Sequence, residues 1–195
     1  FKRMGLQPGN GQSYQQVYPV YQDVLVEKKL VVAGKTFEWD KDFNFSLQGV
    51  ATGNWNFTEV VFAGYGIVDP SKNINDYENL EVKGKLVVVL DGSGSAPTAT
   101  AGGRGMFNNP TSSYAKTRTA STKGAAGILI ITPDFPKKSP TETKGGMYLK
   151  ANTTAAGFLS ATISPEVAAN ITPIVSTGKL TVADFKDIKK ATYTV

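Results

Sequence analysis

The chain has 195 residues, 41% of them hydrophobic and 19% charged, with a formal net charge of +5, which suits one globular domain with a buried core. It contains no histidine and no cysteine, which excludes a Ser-His-Asp or Cys-His triad, a typical catalytic zinc site and any disulfide. No apolar run approaches the ~20 residues of a membrane-spanning helix. The lysines are scattered rather than clustered with stacking aromatics, so no nucleic-acid face is expected.

In chain order, Phe1 to Leu6 reads as a last helical turn stopped at Gly5, followed by a polar connector over residues 7–16. Strand patterns follow at Val24–Val26, Leu30–Val32, Phe37/Trp39 and Phe43/Phe45/Leu47, the last two with the period-2 alternation of half-buried strands. Residues 59–67 read as a strand ending in glycines, and residues 68–82 as a polar loop anchored by Asp76-Tyr77. Leu86–Leu90 and residues 125–132 are unbroken apolar runs, the mark of strands covered on both faces. Between them Thr111 or Ser112 caps a helix that runs to about Lys123 and stops at Gly124. Strand, helix, strand predicts two parallel neighbours.

Residues 133–152 read as a second loop and Phe158–Ile163 as a strand. Ser164 then caps a short helix with Pro165 at its first position. A further helical turn over 182–188 and a closing strand over 191–195 complete the pattern. The sum is an α+β domain, a β-sandwich or open barrel flanked by two or three short helices on one side.

Four groups of residues invite a chemical reading. Asp91-Gly92-Ser93-Gly94 follows a strand but lacks the Gly-Lys-Ser/Thr and the helix start of a phosphate loop, and reads as a flexible loop. Ser113-Tyr114-Ala115-Lys116 spells S-x-x-K without its companion motifs; the expected arrangement has Tyr114 packed inward and Lys116 in solvent. Asp40 and Asp42 read as two solvated carboxylates on one strand face. The aromatics Trp39, Trp55, Phe57, Tyr65 and Tyr77 suit either a core or a binding face.

One resemblance draws these pieces together. Residues 62–67 (FAGYGI), 75–80 (NDYENL), 82–89 (VKGKLVVV) and, after Lys116 and Ala120, 123–131 (KGAAGILII) occur in the order and spacing of a protease-associated domain. The chain resembles the form of that domain inserted in bacterial di-zinc aminopeptidases of peptidase family twenty-eight. Met4-Gly5-Leu6-Gln7-Pro8-Gly9 and Tyr14-Gln15-Gln16 resemble the segment that enters the insert from the peptidase.

The resemblance implies a swivelling β/β/α domain over residues 17–195, with residues 1–16 as a connector from the preceding peptidase segment. It implies a non-catalytic role: shaping substrate access or mediating protein contacts. The zinc ligands of such enzymes lie in the catalytic domain, so no catalytic or metal residue and no cofactor is expected in this chain, and zinc is expected in the parent catalytic domain. The implied partners are that domain, in the same polypeptide, and peptide substrates. The implied location is secreted, periplasmic or at the cell envelope. The loops 92–111 and 133–152 are the expected contact surfaces, with Arg104, Phe107 and Tyr114 as candidate contacts. The alternative is a freestanding peptide- or carbohydrate-binding module that uses the aromatics.

Overall fold

The computed structural model describes residues 2–15, 17–24, 27–45, 55–94, 109–138, 144–148, 158–171 and 175–177. In chain order the elements are β1 (Tyr21–Val24), β2 (Leu30–Val32), β3 (Lys35–Phe37), β4 (Phe43–Phe45), β5 (Val60–Phe62), β6 (Val68–Asp69), β7 (Ile74–Asn75), β8 (Leu86–Leu90), α1 (Ser113–Thr122), β9 (Gly127–Ile131), β10 (Lys144–Tyr148), β11 (Leu159–Ile163), α2 (Pro165–Ile171) and β12 (Val175–Thr177). The result is an α+β domain with two α-helices among the described residues. The expected turn over 182–188 and the strand over 191–195 lie outside those residues.

The main sheet has six strands in the order β12-β5-β8-β9-β11-β4. The first five are mutually parallel, and β4 closes one edge antiparallel to β11. From β5 the chain steps one way across the sheet through β8, β9 and β11, then returns past β5 to lay down β12. The step from β8 to β9 runs through α1, and the return runs through α2. Crossovers of one hand that step in opposite directions put their helices on opposite faces. The helices therefore cover both faces, where the sequence pattern placed them on one side.

Both central strands are buried along their whole length. Val60, Leu86, Val88, Leu90, Leu129 and Ile131 face α2, which contributes Val167, Ala168 and Ile171. Val61, Val87, Val89, Ile128 and Ile130 face the α1 side with Ala63, Tyr77, Val82, Ala120 and Ala125.

The helix boundaries follow from their caps. The Ser112 hydroxyl accepts from the Ala115 N–H at 3.2 Å and opens α1. At the other end Gly124 takes φ +83, and the N–H groups of Gly124 and Ala125 reach back to the carbonyls of Ser121 and Ala120, a Schellman stop. Ser164 opens α2 by accepting from the Val167 N–H, with Pro165 in the first turn as expected.

Four strands were not legible. The expected loop 133–152 contains β10, which pairs with β1 in a ribbon apart from the main sheet. Strand β12 pairs with β5 at the sheet edge. The expected loop 68–82 holds the short β6–β7 ribbon as well as its Asp76-Tyr77 anchor. Among the described residues no helix is long and apolar enough to cross a membrane.

Candidate functional site at the carboxyl end of the main sheet

Ligand sites of open parallel sheets lie beyond the carboxyl ends of the strands, and here that end carries a polar cluster. It forms where β8 stops at Leu90 and the chain leaves through Asp91, Gly92, Ser93 and Gly94. Lys116 of α1 lies across this exit, 0% exposed. Its Nζ donates to the carbonyls of Leu90 and Gly92, each at 2.7 Å. It also lies 5.8 Å from the Tyr65 ring centroid, within cation–π range. Burial lowers the lysine from its ordinary 10.5 to about 8, against an opposing pull from Asp91 and Asp76.

The floor of the cluster is set by the turn after β5. The Asp76 carboxylate accepts from the N–H groups of Tyr65 and Ile67 at 3.1 and 2.9 Å, and the Asp76 N–H donates to the Ile67 carbonyl. This fixes the turn at Gly64–Gly66. Gly66 sits at φ +68, and a Cβ there would meet Val89 Cγ1 at 2.8 Å, so only glycine fits. Tyr65 in turn lies against Gly94, where a Cβ would fall 2.6 Å from the ring.

Tyr77, next to Asp76, runs into the core beneath α1 and is 3% exposed. Its hydroxyl has no hydrogen-bond partner among the described residues. Burial, with the Asp76 charge behind it, holds its pKa well above the ordinary tyrosine value.

Several expectations are reversed here. Tyr114 points outward, 69% exposed, and Lys116 is the buried residue of the pair. The helix offers the sheet little apolar surface, and two strand-end carbonyls need donors, so the lysine goes inward. Both of its hydrogen bonds go to carbonyls and neither to Ser113, so the S-x-x-K residues do not form a nucleophile–base contact. The start of the glycine-rich loop is gripped rather than free over residues 91–94.

The two aspartates also differ from expectation. Asp42 is buried, and its carboxylate accepts the Glu38 N–H at 2.9 Å, holding the turn before β4. Asp40 takes a positive φ in that turn. They are turn-forming residues, not a solvated pair.

Four of the five aromatics lie in or against the core, and Trp55 is half-buried. Tyr77 is buried, and Trp39, Phe57 and Tyr65 pack against the core on the α2 face. Trp39 meets Phe43 and Phe45 edge-on. Among the described residues the exposed tyrosines are Tyr14, Tyr18, Tyr21 and Tyr114.

Of the three candidate contacts, Tyr114 stands in the first turn of α1, beside the exit of the 92–111 loop. Arg104 and Phe107 lie outside the described residues, as does most of that loop. Much of 133–152 does too.

Two shallow clefts, of about 180 and 280 Å³, lie elsewhere: one among Phe57, Glu59, Lys83 and Lys85 at the amino ends of β5 and β8, the other around Asn10 and Tyr14. The donor set for zinc does not fit either place: the sequence has no histidine or cysteine, and among the described residues no three acidic side chains converge. No protein-family model, curated protein or solved structure matches the chain.

Proposed function

We propose that the chain is a non-catalytic protease-associated domain that shapes substrate access to a zinc aminopeptidase, with the peptidase catalytic domain of the same polypeptide as its partner and peptides as the substrates it screens. One observation carries the reading: the four segments that make up the resemblance interlock. Asp76 of the second segment holds the glycine turn of the first, and Gly66 of the first abuts Val89 of the third. Tyr77 shares a cluster with Val87, Val89, Ala125 and Ile128 of the third and fourth. The Gly84 N–H reaches the Gly124 carbonyl at 2.8 Å and ties the third to the fourth. Segments that depend on one another in this way form one structural unit, which supports reading them together as a single motif.

In this reading the loops 92–111 and 133–152 wall the cleft, with Tyr114, Arg104 and Phe107 in contact with peptide or catalytic domain. The reading places the protein outside the cytoplasm, secreted, periplasmic or at the envelope. The test uses the full reading frame. Replacing residues 95–108 and 139–143 by short Gly-Ser connectors is expected to shift kcat/KM among di-, tetra- and hexapeptide substrates at least tenfold in relative terms. An unchanged length profile, or a reading frame without a peptidase segment, overturns the proposal.

A further inference from the structure

We propose that Lys116 is a two-ended clamp that closes the excursion between β8 and α1, fixing where the loop leaves the sheet and where it returns. The backbone and the side chain of this one residue hold opposite ends. Its N–H donates to the Ser112 carbonyl at 3.0 Å, the ordinary i→i−4 bond that builds it into the first turns of α1 at the returning end. Its ammonium donates to the Leu90 and Gly92 carbonyls, at the departing end. Residues 93–111 are thus bracketed by bonds to a single lysine.

Each end is reinforced independently. At departure the Asp91 N–H is tied to the Ile131 carbonyl at 2.8 Å, and Gly94 rests on the Tyr65 ring, itself fixed through Asp76. At return the Asn109 side-chain oxygen accepts from the N–H and hydroxyl of Thr111, and the Asn109 carbonyl accepts from the Ser112 N–H and hydroxyl. The ammonium supplies a donor to the buried Leu90 carbonyl and to the partly buried Gly92 carbonyl, and a buried carbonyl left without one is costly. An apolar side chain of nearly the same length would fill most of the space and leave the Leu90 carbonyl without that donor. A role in packing and a role in clamping therefore make different predictions for the same position.

The experiment is residue-resolved amide exchange on the full chain by NMR, with the β8 amides of Val87–Val89 as internal reference. Lys116→Met is expected to accelerate exchange at Asp91 and Gly92, whose N–H groups donate to the Ile131 carbonyl and the Asp91 carboxylate, at least tenfold more than at the reference amides. Lys116→Ala is expected to do the same, and n-propylammonium, which restores the missing three carbons and the charge, is expected to slow it again where n-propanol does not. Equal acceleration at the loop and reference amides, or rescue by the alcohol as well as by the ammonium, overturns the clamp.

Should neither variant fold, the wild-type chain decides. A Lys116 ammonium with slowly exchanging protons, coupled to the Leu90 and Gly92 carbonyl carbons, supports the clamp. An ammonium that exchanges as fast as surface lysines refutes it.

Discussion

Beneath α2 the main sheet meets an aliphatic and aromatic layer, with Ser164 at its rim as a helix cap; beneath α1 the same strands meet Tyr77 with a hydroxyl unpaired among the described residues, and the helix sends a lysine to the end of β8. The contrast follows from what each helix brings. α2 supplies Val167, Ala168 and Ile171 in seven residues and binds the sheet through area. α1 reads SYAKTRTAST, and its buried residues are Lys116 and Ala120. It is held by its caps and by directed bonds. Area tolerates changes in pH and responds to lost volume. Directed bonds to an ionisable group respond to pH and to lost donors. One sheet thus carries a passive face and a face whose stability is tied to a proton.

The largest expected effect tests the passive side. Ile131 is fully buried in the α2-facing cluster, between β8 and β11. Ile131→Ala removes three carbons from a site flanked by strands on both sides, which leaves little room to collapse, and a cost of about 4 kcal/mol is expected. Urea denaturation measures it. A cost near 1 kcal/mol would mean that the face is loosely packed and that area does not hold it.

The next effect tests the proton-linked side. The folded-state pKa of Lys116, about 8, lies below its ordinary 10.5. Between those values the unfolded chain binds the proton that the folded chain has lost, so stability rises with pH in that window. Below it the desolvation penalty is fully present, and above it the penalty is gone. From about pH 7.5 to about pH 9.5 the rise is about 2 kcal/mol. The pull from Tyr77 has the opposite sign but begins only near the unfolded tyrosine value of about 10. Urea unfolding at half-unit steps should show the slope in the wild type and lose it in Lys116→Met. A flat wild-type profile would place the ammonium in water and remove the asymmetry between the faces.

Those two residues also show what could be read from sequence. Ile131 lies in an apolar run of β-branched and aliphatic residues, and such a run has one economical place, a strand buried on both faces. Leu86–Leu90, Leu159–Ile163, the Ser112 cap, the Gly124 stop and the Ser164-Pro165 start were legible for the same reason, because local chemistry dictates them. Lys116 was not, because lysine is almost always solvated, and what draws it inward is a pair of carbonyls 24 and 26 residues away in sequence. Strands β10 and β12 were missed on similar grounds: Lys-Gly-Gly-Met-Tyr and Val-Ser-Thr carry no period, and long-range partners make them strands. Of the candidate contacts only Tyr114 has a described position, and its exposure was misjudged together with that of Lys116.

The smallest expected effect has the opposite sign. Tyr77 buries its hydroxyl beside Gly66 and Val89 with no partner among the described residues, and a buried hydroxyl without a hydrogen bond is unfavourable. Tyr77→Phe keeps the ring, its place in the cluster and the Lys123 ammonium 5.3 Å above it. The substitution should therefore stabilise the fold by about 1 kcal/mol, read as a raised urea midpoint at unchanged slope. A loss instead of a gain would mean that the hydroxyl is engaged. The α1 face would then be a bonded network joining Tyr77, Asp76 and Lys116, and the pH slope should change in the phenylalanine variant as well. A gain with the slope intact would separate the two residues: the tyrosine as a tolerated cost of packing, the lysine as the group through which that face responds to pH.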